Sequence, residues 1–386
     1  MQSRAQAIQD QMVQWRRDFH MVPELGFEEV RTAERVAQVV DGLGYRVRRG
    51  VGRTGVVADL GNGGRRIAIR ADMDALPIQD EKDVPYASQV PGVMHACGHD
   101  AHTAILLGVA TLLAQESLPG SVRLLFQPSE EREDQEGFSG ARRMIQDGAM
   151  DGVDGVLALH VDSSLPVGDV TLAAGPWSAG VDTLQATIIG EGGHGSTPDK
   201  VVDPIYLAAH VVLALHGIVS RRMPPHGPAV ISIGTIHGGQ VDNVIPERVD
   251  LSATIRFQNG KTQKRLHAEI VRALGVARAM GGDYEHRIII GYPPSRNDDG
   301  MVGFIRQAAT ELLGQEHIIS PEPKMGAEDF CFFSELAPGA MFGLGARIEG
   351  DERRHHQARF DIDEGCLAIG AALLAESALR FLGRAG

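Results

Sequence analysis

The sequence predicts an α/β protein with a mostly parallel central sheet and a smaller α+β domain set into it. Three observations carry this. In the first half, short runs that are apolar at nearly every position alternate with helical patterns, as strands covered on both faces require. From about Val181 to Tyr292 the runs instead alternate apolar with polar residues, in the order β-α-β-β-α-β of a ferredoxin-like unit. After Pro293 the helix–strand rhythm of the first half resumes. A chain of 386 residues suits two domains better than one core. The predicted division is residues 1–180 with 293–386 for the larger domain, and 181–292 for the smaller.

In chain order, "RRIAIR" (65–70), "VRLLF" (122–126) and "GVLALH" (155–160) are the doubly covered strands. Between the first two, residues 102–115 ("HTAILLGVATLLAQ") are apolar on most sides and predict a buried helix. In the smaller domain "VDTLQATIIG" alternates like a strand. "DPIYLAAHVVLALHGIVSRR" follows as a helix with Pro204 in its first turn. The runs "AVISIGTIHGG" and "ERVDLSATIRF" are strands, "KTQKRLHAEIVRALGVARAM" a helix, and "YEHRIIIGY" a last strand. The larger domain is completed by helices in "MVGFIRQAATELLG" and "CLAIGAALLAESALRFL", with the strand "AMFGLGA" between them.

Composition narrows the function. A hydrophobic fraction of 43% and a charged fraction of 23% are ordinary for a soluble globular protein. No run of 18 or more apolar residues predicts a membrane span, and the polar N-terminus lacks the apolar core of a signal peptide. Three cysteines, Cys97, Cys331 and Cys366, make no disulfide framework and suit a reducing compartment, so the expected location is the cytoplasm. A net charge of −13 argues against nucleic acid or an anionic membrane as partner.

The chemistry gathers where open α/β sheets place their sites, at the carboxyl ends of the strands. "RRIAIR" runs into Asp72 and Asp74, "VRLLF" into Glu130 and Glu131, and "GVLAL" into His160. "MHACGHDAH" (94–102) lies just before the buried helix. In "CGH", Cys97 and His99 stand two apart and face the same way along an extended segment, while Gly98 permits a turn between them. The helix start that follows is expected to favour the thiolate that a metal requires. Taken alone, "CGH" reads equally well as a buried cysteine beside a satisfied histidine. With Glu131 and His160 at neighbouring strand ends, the metal reading prevails. Two adjacent carboxylates suggest a division of labour, one binding metal and the other taking a proton from water. The rest of "EEREDQE" reads as a solvated acidic loop. Asp72 and Asp74 are expected to orient ligands, and His95 and His102 to support ligands or to be simply structural, with no separate role. "ERRHHQARF" (352–360) offers a late histidine that these residues alone leave unassigned.

The motifs "RADMDALP" (70–77), "MHACGHDAH" (94–102), "FQPSEE" (126–131), "ALH" (158–160), "GGHGSTP" (192–198), "NVIP" (243–246), "GAEDF" (326–330) and "HQARF" (356–360) occur in that order. Together they resemble the M20 metallopeptidase family, in particular the amidohydrolase branch that includes aminoacylases, hippurate hydrolases and auxin–amino acid conjugate hydrolases. The resemblance spans nearly the whole chain. It implies a zinc-exopeptidase-like catalytic domain and a lid. It further implies two divalent metal ions held by Cys97, His99, Glu131, His160 and His356, one group bridging. His356 is preferred to His355 because the family histidine stands four residues before the phenylalanine, here Phe360. Glu130 is implied as general base. His194 is implied as oxyanion stabiliser, in its own subunit or across a subunit interface. Asn243 and Arg256 would hold the substrate's α-carboxylate, a role suited to a planar fork of donors.

The expected reaction is hydrolysis of an N-acyl or N-aroyl amino acid, or a similar conjugate. Zinc is the first choice of metal, with manganese, cobalt or nickel as alternatives. A dimer or tetramer is the expected assembly. A dipeptidase or carboxypeptidase would share every catalytic residue and differ only in the acyl pocket. A non-catalytic protein on the same fold would be expected to lack the base or a ligand, and a structural zinc site would not need the carboxylate beside Glu131. Two departures from the family pattern bear on specificity: extra residues in "REDQEGFSGARRM", and "GGHGSTPD" where many amidohydrolases have "GGHAAxPH".

Overall fold

The computed structural model describes residues 1–322 and 324–383. The chain forms two compact units. One comprises Met1–Gly175, Arg296–Glu322 and the chain from Asp329 onward. The other comprises Pro176–Ser295 and a short segment ending at Glu328.

The first unit is built on an eight-stranded sheet. Its first five strands are β1 (Arg46–Val51), β2 (Gly55–Gly61), β3 (Arg66–Asp72), β4 (Ser121–Gln127) and β5 (Gly155–Pro166). At its centre β4, β3, β5 and the strand Gly339–Arg347 run parallel in that order. The three runs singled out for apolarity are all here, and β4 is buried at every position. Antiparallel pairs flank this centre: β1 with β2, β2 with β4, and the short strand Val170–Thr171 with Gly339–Arg347. The pattern analysis did not anticipate β1. Its sequence, RVRRGV, is charged and mostly exposed because it lies at the sheet edge.

Helices pack against this sheet or on the helices that cover it. In chain order they begin with α1 (Gln2–Ala7), α2 (Gln9–Met21), α3 (Val30–Gly42) and α4 (His99–Leu113). Helix α4 begins three residues earlier than its apolar pattern suggests and buries nearly every side chain, as does Cys366–Leu382. Each fully buried Leu or Ile there contributes roughly 1.5–3 kcal/mol. Gly98 caps α4 at φ +92°, and a Cβ on it would lie 2.4 Å from Val161 Cγ2, so glycine is required by both conformation and space.

The second unit is a four-stranded antiparallel sheet, in the order Ala229–Gly238, Arg248–Phe257, Gly180–Ile189, Asp283–Ile290. The helices Pro204–Arg222 and Gly260–Ala279 supply the rest of its own apolar core. Pro204–Arg222 is long and apolar enough to cross a membrane by length and composition. Here Leu207, Val211, Leu215 and Ile218 are buried in that core.

Candidate metal centre

The parallel register explains why the ligand-bearing ends converge. Asp72 pairs with Gln127, and Arg70 with Ala158, so Asp72, Gln127 and His160 reach one level of the sheet. The chain then delivers Glu130 and Glu131 just beyond β4, and α4 begins beside them with His99.

Cys97, His99 and His160 place one donor atom each within 4.8 Å of one another, and so do Cys97, Glu131 and His356. Cys97 belongs to both groups. His160 donates its Nδ1–H to the Val161 carbonyl at 2.7 Å, which turns its Nε2 lone pair toward Cys97 Sγ at 3.5 Å. His99 Nδ1 lies 2.9 Å from the Asp74 carbonyl and 3.2 Å from Asp74 Oδ1, while its buried Nε2 makes no hydrogen bond. His356 Nε2 approaches Glu131 Oε1 at 3.1 Å. An orphaned imidazole nitrogen beside a thiol, a carboxylate and two further imidazoles fits a divalent cation of borderline softness. Two triads sharing one sulfur fit a pair of such ions. Glu130 lies beside this set, with a carboxylate oxygen within 4.8 Å of donors from His99 and Glu131.

The supporting histidines separate cleanly. His102 gives Nδ1 to Asp72 Oδ1 at 2.6 Å and accepts the Val161 amide on Nε2 at 2.9 Å, so no lone pair remains for a metal. Asp72 is also paired with Arg70 at 2.7 Å. His355 stacks toward Phe360, and its Nε2 accepts from the Ser163 amide at 3.4 Å. His95 is buried with neither ring nitrogen hydrogen-bonded, and burial pushes its pKa down to about 3.

One electrostatic expectation is corrected. The start of α4 was expected to favour a Cys97 thiolate, yet burial dominates and pushes the thiol up to about 12, the pull of His99 notwithstanding. Desolvation of a fully buried anion outweighs a helix terminus. The thiolate therefore requires the charge of a bound cation.

Behind the site lies a buried network that the sequence patterns did not reveal. Arg16 of α2 reaches Asp100 at 3.0 Å, Asp361 at 2.6 Å and Glu364 at 3.0 Å. His20, one turn on, meets Asp100 at 2.7 Å. These contacts tie the first turn of α4, and with it His99, to both ends of the chain. The signal in hindsight is the charged pair Arg16–Arg17 inside an otherwise amphipathic helix. The acidic loop after Glu131 is pinned through Asp134, which takes Arg53 and Arg143.

The other three site candidates lie in the second unit. His194 is on the short strand Gly193–His194, paired with Val244–Ile245. Its Nδ1 accepts from the Ser196 amide at 3.1 Å, leaving the proton on Nε2. Asn243 is its neighbour, its carbonyl accepting from the Gly195 amide at 2.8 Å. Arg256 sits half-buried on the strand Arg248–Phe257, its Nε donating to Thr254 Oγ1 at 3.0 Å. It makes no ion pair among the described residues.

The chain is similar to known proteins over nearly its whole length. Residues 68–380 match the family model described as peptidase family M20/M25/M40. A probable hydrolase of Synechocystis sp. is 41% identical, over 98% of this chain and 97% of its own length. Thermostable carboxypeptidase 2 of Saccharolobus solfataricus is 38% identical, over 97% and 96%. N-acetyl-L-cysteine deacetylase of Bacillus subtilis is also 38% identical, over 97% and 89%. Among solved structures, one described as an aminohydrolase of methicillin-resistant Staphylococcus aureus superposes with a TM-score of 0.92, at 34% identity over 99% of both chains. A dinuclear metal-binding peptidase of the M20 family from Bacillus subtilis gives 0.85, at 32% identity over 98% of this chain and 99% of that one.

Proposed function

The chain belongs to peptidase family M20/M25/M40, and from that premise we propose that it hydrolyses the amide bond of N-acyl or N-aroyl amino acids, or of similar conjugates, to a carboxylic acid and a free amino acid. Metal-dependent amide hydrolysis is the activity of the family to which it belongs. The observation that carries the proposal is the pair of donor triads sharing Cys97, with Glu130 beside them.

In this reading Cys97, His99, Glu131, His160 and His356 hold two divalent ions, zinc first. Bound there, the ions would supply Lewis acidity for the scissile carbonyl and acidify the attacking water. Glu130 takes the proton from that water and passes it to the leaving amine. His194, with its proton on Nε2, donates to the oxyanion as the carbonyl becomes tetrahedral. Arg256, with Asn243, takes the substrate's α-carboxylate. The absence of an acidic partner for this half-buried guanidinium, among the described residues, supports that role. Asp72 and Asp74 orient His102 and His99.

The relative named N-acetyl-L-cysteine deacetylase supports an acylated amino acid as substrate. The relative named carboxypeptidase favours a second reading, a peptide substrate with a free C-terminus on the same anchor. For assembly we propose a dimer or tetramer of this chain, supported by the exposed apolar side chains Ile205, Tyr206, Leu213 and Ile236 of the second unit. Leu213→Lys should then shift the mass in solution to that of a monomer, and an unchanged mass would refute the assignment. A cytoplasmic setting is supported by three buried free cysteines.

The test is release of free amine from a panel of N-acetyl, N-benzoyl and indole-acyl amino acids alongside dipeptides, with metal-loaded and chelator-stripped protein. The proposal expects metal-dependent cleavage with acyl amino acids ahead of dipeptides. The reverse ranking would move the assignment to the peptidase reading. Arg256→Ala should raise KM for free carboxylates and leave amidated substrates unaffected.

A further inference from the structure

We propose that Glu29 is a positioning residue for hydrolysis: from the start of α3 its buried carboxyl group takes the Ser129 amide and thereby sets where the chain delivers Glu130 and Glu131. The inference rests on the reading of Glu130 as base and Glu131 as ligand. It adds the device that aims them.

Glu29 is completely buried. Its Oε1 accepts from the Ser129 amide at 2.7 Å, across a separation of 100 residues, and its Oε2 accepts from the Thr54 hydroxyl. One carboxyl group thus joins three loops: the one entering α3, the turn between β1 and β2, and the one leaving β4. Ser129 adopts φ +44°, a left-handed conformation unfavourable for serine. Its other polar groups are engaged locally, the hydroxyl on the Arg132 carbonyl at 2.8 Å and its own carbonyl on the Gly140 amide at 2.9 Å. Glu29 is the anchor that comes from outside the loop.

The pattern of strain points the same way. Among the described residues, four other than glycine have positive φ: Phe27, Arg53, Ser129 and His356. The first three stand on the three loops that Glu29 joins, and the fourth is the ligand facing Glu131. Such conformations persist only where their surroundings over-determine them, and they concentrate at functional sites. Without its acceptor, the Ser129 amide would be buried and unsatisfied. The serine would relax out of the left-handed region and turn the next peptide, which carries Glu130. Burial and the nearby Asp74 carboxylate push the Glu29 pKa up to about 7. Near neutrality its contribution is therefore the hydrogen bonds more than the charge, and glutamine should serve.

The experiment compares Glu29→Ala, Glu29→Gln and Glu29→Asp with wild type. It reads cobalt affinity by titration of the stripped protein, amide exchange in the segment 127–132, and kcat with KM in the loaded enzyme. Glu29→Ala should weaken binding at one cobalt equivalent about 10- to 100-fold, the range seen when a partner behind a metal ligand is lost. Exchange at Ser129 should quicken, and kcat should fall about as far while KM moves less than about threefold. Glu29→Gln should stay within about threefold of wild type on every measure. Glu29→Asp keeps the charge but falls short of the amide, and should behave like alanine; it decides the matter if the alanine variant does not fold. Wild-type cobalt affinity and exchange in Glu29→Asp would overturn the proposal, as would a glutamine variant no better than alanine. Affinity and exchange do not depend on Glu130 acting as base. An active Glu130→Gln would remove that reading, and these two measurements would still judge Glu29.

Discussion

Nε2 of His356 lies 3.1 Å from Oε1 of Glu131, joining the last loop of the chain to the loop that leaves β4. The contact is held from behind. The His356 amide donates to the Ala96 carbonyl at 2.8 Å, and the residue sits at φ +60°. A histidine held left-handed, with its amide on the carbonyl of the residue before Cys97, has its imidazole delivered by the backbone. The Glu131 carboxylate raises the His356 pKa, outweighing burial, so the pair that would share a proton is also placed to share a metal ion.

His356→Ala should therefore lose one of two metal equivalents selectively. Affinity for that equivalent is expected to fall at least about 10- to 100-fold, with the other retained through Cys97, His99 and His160. Metal analysis after dialysis at controlled free zinc would show it; two undiminished equivalents would remove His356 from the ligand set.

Asp74 acts twice on the same centre. Its carbonyl and Oδ1 face His99 Nδ1, and its Oδ2 accepts from the Glu131 amide at 3.0 Å. Asp74→Ala should lower metal affinity about 10- to 100-fold without removing any ligand. Unaltered affinity would mean that the backbone carbonyl alone holds the His99 tautomer.

The Arg16 network is a matter of stability. Removing one partner of a buried ion pair strands the others, at about 3–5 kcal/mol. Arg16→Ala should be destabilised by that order in urea unfolding. Arg16→Lys should not recover it, because one ammonium cannot reproduce three directed contacts to Asp100, Asp361 and Glu364. Full recovery by lysine would show that charge alone matters there.

A pH dependence follows from Glu29. Its carboxyl ordinarily titrates at 4.5, and in the fold at about 7. Between those values the folded state keeps a proton that the unfolded state has lost. The stability contributed by this group is complete below about pH 4.5 and is lost as pH rises through 7, amounting to about 3 kcal/mol. Glu29→Gln has no such proton to lose. The stability of the variant relative to wild type should thus rise from pH 4.5 to 7 and level off above, measured on stripped protein. A difference independent of pH would place the carboxyl in an ordinary, ionised state.

What could be read beforehand has a physical pattern. Strands β3, β4 and β5 were legible because burial on both faces leaves an apolar run, and their polar endings then stand out. The four strands of the second unit were legible for the opposite reason, since one covered face makes residues alternate, as in Gly180–Ile189. What failed to show was anything set by distant pairing. β1 is charged because it lies at an edge. Arg16 and His20 look solvent-facing until Asp100 and Asp361 are brought to them. Glu29 reads as one more acid in "GFEEV" until Ser129 arrives from 100 residues away. The Cys97 thiol was misjudged because local sequence reports the helix start but not the depth of burial.

The most direct test of the central claim is Glu130→Gln, loaded with metal and assayed on its best acyl amino acid. If Glu130 moves the proton while Cys97, His99, Glu131, His160 and His356 hold the ions, the variant will bind two metal equivalents as wild type does, and kcat will fall at least about 100-fold with little change in KM. Turnover above about a tenth of wild type, with both metals bound, would contradict it.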